Sequence, residues 1–236
     1  MLAGRPMLQW VYDRACASQA AEVLVATDDA RIAAACRSFA APVEMTSAAH
    51  RSGTDRIAEV AQRRGWSDVA IVVNVQGDEP MIAPRSIDQV AALLQAHPAA
   101  AIATLVTPIH SSADLHDPNI VKVVADVGGR ALYFSRAPIP FARDAASADH
   151  SSPVDATRAA PAGALRHIGI YAYRVAALRA LAAAPVDLIE DIEKLEQLRA
   201  MRLGMLIQIE NTSEAPAGDV NTPADIARLE QLLTQR

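Results

Sequence analysis

Asn74-Val75-Gln76-Gly77-Asp78-Glu79-Pro80 follows directly on the apolar run Ala70-Ile71-Val72-Val73. The run is short, β-branched and flanked by polar residues, which is the pattern of a buried strand. Gly77 is expected to let the chain turn sharply where the strand stops, and Pro80 to stiffen the exit. Asp78 then stands at the carboxyl end of a strand, where open α/β sheets bind their ligands. An ordinary surface turn is the plainer reading of the same residues. The rest of the chain decides between them.

Working outward, helical and strand-like segments alternate. Residues 7–18 have helical spacing and residues 22–26 read as a strand. Thr27-Asp28-Asp29 caps a helix to about residue 39, and residues 42–45 form a short strand. A helix over 54–64 leads into the strand before Gln76-Gly77-Asp78; a helix over 84–96 and a strand over 101–106 follow. This β-α-β rhythm predicts right-handed crossovers and a largely parallel sheet. The second half differs. Residues 120–125 and 131–134 read as strands joined at Gly128-Gly129. Residues 143–163, rich in Ala, Ser, Asp and Pro, read as a loop. A strand over 165–173, helices over 175–183 and 189–202, a strand over 205–210 and a helix from Pro223 complete the chain.

Composition narrows the function classes. With 236 residues, 51% of them hydrophobic, the chain suits one large α/β domain spanning 1–236. Aromatics make up only 4%, so the core must come from Ala, Val, Leu and Ile. A formal charge of −5 argues against nucleic acid as a partner. An anionic substrate would need placed arginines or a metal, since Lys122 and Lys194 are the only lysines. Cys16 and Cys36 fit neither a disulfide framework nor a zinc spacing, and read as small core residues of a cytoplasmic protein. No apolar run is long enough to suggest a membrane span.

Several motifs occur in order: Gly4-Arg5-Pro6-Met7, Ala26-Thr27-Asp28-Asp29, His50-Arg51-Ser52-Gly53-Thr54-Asp55-Arg56, Asn74 to Pro80, Tyr133 to Pro140, Arg166 to Tyr171, Leu195 to Arg199 and Val220-Asn221-Thr222-Pro223. Together, over nearly the whole chain, they resemble the 3-deoxy-manno-octulosonate cytidylyltransferases, the CMP-Kdo synthetases of Gram-negative lipopolysaccharide synthesis. The resemblance implies a nucleotide-diphospho-sugar transferase-like (Rossmann-like) α/β fold. Its sheet would be mixed and mostly parallel, with a sugar-binding and dimerisation lobe in the second half. It also implies a cytoplasmic homodimer whose substrates are CTP and Kdo and whose cofactor is Mg2+. Such a transfer needs positioning and charge neutralisation more than a covalent nucleophile.

By the same resemblance, Asp78 is a metal and catalytic ligand. The second ligand position, an aspartate in the family, is Asn221 here, and Asp219 two residues earlier could compensate. Ser52, Gly53, Thr54, Asp55 and Arg56 match the nucleotide-side loop, where Thr54 could otherwise merely cap a helix. Arg136 matches the arginine for the sugar carboxylate, a role its bidentate fork suits. Gln76, His167, Tyr171, Glu196 and Gln197 match sugar-contacting residues. The plainer alternatives are a structural histidine at 167 and a solvated helix face at 196–197. The family opens with a strand and a phosphate loop ahead of the motif matched by Gly4-Arg5-Pro6, so both are expected upstream of residue 1. The rival readings are a transferase for another 2-keto sugar acid (8-amino-Kdo or sialic acid), an inactive truncated homologue, and a glycosyltransferase. The last would need an Asp-x-Asp that Gly77-Asp78-Glu79-Pro80 lacks.

Overall fold

The computed structural model describes residues 1–143, 159–214 and 223–234. In chain order the elements are α1 (Met7–Cys16), β1 (Val25–Thr27), α2 (Ala30–Ser38), β2 (Val43–Met45), α3 (Gly53–Arg63), β3 (Ile71–Asn74), α4 (Pro84–Ala96), β4 (Ile102–Pro108), α5 (Ser112–His116), β5 (Lys122–Ala125), β6 (Ala131–Ser135), β7 (Leu165–Arg174), α6 (Val175–Ala183), α7 (Leu188–Glu193), α8 (Gln197–Arg202), β8 (Ile207–Asn211) and α9 (Pro223–Thr234). The fold is mixed α/β, as the sequence predicts, but among the described pairings only β1–β2 and β4–β8 are parallel, because β7 enters antiparallel to β3, β4 and β5, and β6 antiparallel to β5.

β7 organises the sheet. Along one edge it pairs antiparallel with the whole of β4, and β4 in turn pairs parallel with β8. Its other edge is shared: residues 171–174 pair with β3, and residues 165–166 with β5. The edge between these two partners, around Gly169, is where the turn after β3 arrives. The β4–β7 register shifts there, with Thr104 opposite Tyr171 but Leu105 opposite Ile168. Such bulges re-aim side chains and are common beside binding sites. At the far end, the Gly128-Gly129 turn folds onto β8, and Ile209 N–H donates to Gly129 O at 2.7 Å. Gly129 has φ +77°, and a Cβ there would lie 2.9 Å from Ile209 O, so glycine is required.

The alternation of β4 and β7 explains the two-sided core. Ala103, Leu105, Ile170 and Ala172 face α4, whose Ile87, Val90, Leu93 and Leu94 recur at helical spacing. Ile102, Val106, Tyr171 and Tyr173 face the other way, against Leu178 and Leu181 of α6 and Leu198 of α8. Cys36 is buried in α2, but Cys16 is exposed. The buried stripe of α1 runs through Val11 and Ala15, and Cys16 lies off it.

Two other expectations change. The helix over 189–202 is two short helices. Asp187 and Glu190 form a capping box at the start of α7, and Lys194 ends it in the left-handed conformation, with φ 54°. Helix α3 is capped by Ser52, whose Oγ accepts from Asp55 N–H, rather than by Thr54.

β1 and β2 form a separate parallel pair. Among the described residues, β1 has no partner strand besides β2, and β3 none besides β7. Between them lies a trough. α1 contributes Leu8, Val11 and Ala15 to it, α3 contributes Ile57 and Val60, and α4 contributes Ile87.

Candidate active site

The trough opens into one continuous cavity of about 1660 Å³ that reaches from β1 to α8. Asp78, Gln76 and Gly77 line it at the end of β3; Gly53, Thr54 and Arg56 line it at the start of α3. Beside them the lining carries His167 and Tyr171 of β7, with Glu196 and Gln197 from the α7–α8 break. Residues from both sequence-predicted groups therefore meet in one place. Ser52, Asp55 and Arg136 are not part of the lining. Asn221 and Asp219 lie outside the described residues.

The turn that presents Asp78 is closed by Glu79 N–H donating to Gln76 O at 3.2 Å. Gly77 is not among the residues with positive φ, so the turn does not use glycine's left-handed freedom. What glycine gives is close approach at Gly169, where a Cβ would meet Gln76 Nε2 and Glu79 Oε1 at 3.4 Å each.

His167 is set among aromatic rings, 5.3 Å edge-on from Phe134 and 5.1 Å from Tyr171. Its Nε2 lies 3.0 Å from Thr104 Oγ1, which is 2.7 Å from Ile170 O. With the Thr104 hydrogen given to that carbonyl, the hydroxyl oxygen accepts from Nε2–H, which leaves Nδ1 as an acceptor. Burial, with the Arg166 guanidinium adding to it, pushes the His167 pKa down to about 3. The ring is thus neutral at neutral pH. Burial raises the Tyr171 pKa well above its ordinary value. Its hydroxyl is buried and finds no hydrogen-bond partner among the described residues. A buried polar atom in that state is rare and calls for a partner.

Glu196 is not on a solvated face. Its carboxylate accepts from Ser52 Oγ at 2.9 Å, from Thr54 Oγ1 at 2.6 Å and from Arg199 Nη2 at 2.6 Å. Gln197 is 9% exposed. Arg199 is itself buried and sits 3.3 Å from Glu190. Arg136 is fixed at four points. Its N–H donates to the Glu193 carboxylate, its Nε to Glu193 O and its Nη1 to Pro118 O. Its own carbonyl accepts from Lys122 Nζ at 2.5 Å. Lys122 is fully buried, and it donates also to Asp117 O and Ile120 O. Arg56 is held by Asp28 at 3.2 Å and by the Thr46 hydroxyl.

Thr104, Lys122 and Glu193 escape a reading of motifs, and Arg199, though inside a motif, is given no role by it. Signals for two of them exist in the sequence: Thr104 is the one polar residue in an apolar strand, and Lys122 is one of only two lysines.

A family profile described as Cytidylyltransferase matches residues 1–207. A 3-deoxy-manno-octulosonate cytidylyltransferase of Pseudomonas syringae pv. syringae (strain B728a) is 51% identical over 234 residues, covering 98% of this chain and 89% of the relative.

The chain belongs to the 3-deoxy-manno-octulosonate cytidylyltransferase family.

The relative of that name from Thioalkalivibrio sulfidiphilus (strain HL-EbGR7) is 49% identical, over 99% of this chain and 90% of its own. Among solved structures, a CMP:2-keto-3-deoxy-manno-octonic acid synthetase complexed with CTP superposes with a TM-score of 0.86 at 39% identity, over 100% of this chain and 90% of that one. A 4-diphosphocytidyl-2C-methyl-D-erythritol synthase shares the fold, with a TM-score of 0.61 at 12% identity over 99% of this chain and 92% of its own.

Proposed function

We propose that this protein is a nucleotidyltransferase that makes CMP-Kdo from CTP and Kdo, with release of pyrophosphate, for lipopolysaccharide synthesis. The observation that carries the reading is the shared cavity. A strand-end carboxylate, the start of α3 and a wall of fixed polar side chains line it together, in a chain of this family.

In the reaction the anomeric hydroxyl oxygen of Kdo bonds to the α-phosphorus of CTP. The bond from that phosphorus to the β-phosphate bridging oxygen breaks, and the hydroxyl proton is lost. The chain's residues bind and orient. Tyr171, His167, Gln197 and Glu196 offer a donor and acceptors to sugar hydroxyls, and Gln76 reaches the same space from the β3 side. Arg136 is assigned the sugar carboxylate, with its fork aligned by the carbonyls of Glu193 and Pro118. Gly53, Asp55 and Arg56 stand on the nucleotide side.

Mg2+ takes few protein carboxylates and draws its other oxygens from phosphates and water. Asp78, a hard oxygen donor on the lining, fits that chemistry, and Asn221 or Asp219 would join it. When bound, the ion neutralises charge on the triphosphate.

The trough between β1 and β3 suits a further extended strand. Two edges there carry backbone groups without strand partners among the described residues, between apolar side chains. The protein is further proposed to act in the cytoplasm as a homodimer. Among the described residues no helix is long and apolar enough to cross a membrane. One edge of β7 is taken by β4 and most of the other by β3 and β5, and residues 170–173 are buried, which leaves little of β7 for a dimer contact. Leu132 and Tyr133 on β6, 51% and 37% exposed, suit that role better.

Phosphorus NMR of CTP, Mg2+ and Kdo tests the main reading. A CMP phosphodiester and pyrophosphate should appear together. Faster conversion with sialic acid in place of Kdo would refute the choice of sugar.

A further inference from the structure

Glu196 stands where the second half of the chain meets the first. Lys194 breaks the chain out of α7 and leaves Glu196 at the head of α8, against the start of α3. A carboxylate has about four lone-pair positions. Three of those on Glu196 are taken, by Ser52, Thr54 and Arg199. Glu196 still lines the cavity, with room for one more donor.

The hydroxyls on the other side of these bonds are just as constrained. Ser52 Oγ accepts from Asp55 N–H at 3.1 Å as the helix cap and gives its one hydrogen to Glu196. Thr54 is 2% exposed and gives its one hydrogen to the other Glu196 oxygen. A triphosphate presents only acceptors. A hydroxyl whose hydrogen is already committed to a carboxylate has nothing to donate to it.

We infer that Ser52 and Thr54 are positioning residues for Glu196, so that their hydroxyls serve recognition of the polyhydroxylated acceptor rather than of the triphosphate. This rests on reading the cavity as a two-substrate site. Ser52 and Thr54 hold the carboxylate in one orientation, and its remaining lone pair takes a substrate hydroxyl. The nucleotide side keeps the backbone and Arg56.

The test is steady-state kinetics of Thr54→Val, Thr54→Ser and Ser52→Asp, with CTP and Kdo varied separately. Loss of a hydrogen bond to a charged group corresponds to roughly a tenfold change. Thr54→Val should raise the Kdo KM by about that factor, with the CTP KM within about twofold, and Thr54→Ser should restore it. Ser52→Asp keeps a good helix cap but sets a like charge against Glu196, so it should raise the Kdo KM as well. Combining Thr54→Val with Glu196→Gln should cost little more than Glu196→Gln alone. A rise in the CTP KM instead, or simple additivity of the two changes, would overturn the inference. Should the unmodified protein show no turnover with Kdo, the cytidylyltransfer reading falls. The positioning claim is then judged by a crystal structure of Thr54→Val: a displaced Glu196 carboxylate upholds it and an unmoved one overturns it.

Discussion

On the wall built from β7 and the α7–α8 break, polar side chains are tied to one another before any substrate arrives. On the wall between β1 and β3, two strand edges face each other across apolar side chains. Glu196 has three donors and His167 has Thr104; off the lining, Arg136 has Glu193, Pro118 and Lys122. Such a wall can recognise a ligand by geometry, because its groups lose little freedom on binding. The trough offers backbone hydrogen-bonding groups and area, which suit an extended strand rather than a small polar ligand. Asp78 sits at the seam between the two, where the metal is proposed to bind.

The largest effect is therefore expected at the seam. Asp78→Asn should lower turnover by about a hundredfold or more, because it removes the carboxylate proposed to hold the metal against the triphosphate. A magnesium titration should place Asn221→Asp at a lower half-maximal concentration than the parent. If Asp219 is the true partner, Asp219→Ala raises that concentration and Asn221→Ala does little. An active Asp78→Asn enzyme would break the comparison at its centre.

The next effect concerns the trough. A chain extended upstream of Met1 by about 20 residues, enough for a strand and a phosphate-binding loop, should bind CTP roughly tenfold more tightly. It should also melt about 5 °C or more higher. Titration calorimetry and thermal unfolding of the two chains measure this. Equal values would show that the trough does not take a strand.

The smallest effect belongs to the tied wall. The His167 pKa is about 3 when folded, below the ordinary 6.5. Between these values the unfolded chain binds the proton first. The contribution is therefore fully present above about pH 6.5 and is lost as pH falls toward 3. At pH 5 the loss is roughly 1–2 kcal/mol. Urea midpoints at pH 7.5 and pH 5 should show wild-type protein losing that much more than His167→Gln. An equal loss in both would mean the ring is not kept neutral by its packing.

How far these walls are legible in the sequence differs in the same way. Helix α4 matches its predicted span because Pro84 starts it and Ile87, Val90 and Leu94 repeat at helical spacing. Asp78 is legible because a β-branched run ends just before it. The tied wall is partly hidden. Lys194 takes a left-handed conformation that lysine rarely adopts, so the charged stretch around it reads as one helix. The pair Asp187 and Glu190 was the available clue, as a capping box. Ser52 and Thr54 are both good helix caps, and local chemistry does not choose between them. Both also reach Glu196, 142 residues away from Thr54 in sequence, a contact no local pattern shows. The three-way pairing of β7 is likewise a long-range outcome that no local pattern encodes.

The division of labour between the two walls is tested most directly by measuring both KM values in Glu196→Gln. The expected result is a Kdo KM raised about tenfold, since the amide keeps the shape but loses the charge that orders three donors, with the CTP KM within about twofold. A CTP KM that rises as much as the Kdo KM would contradict it.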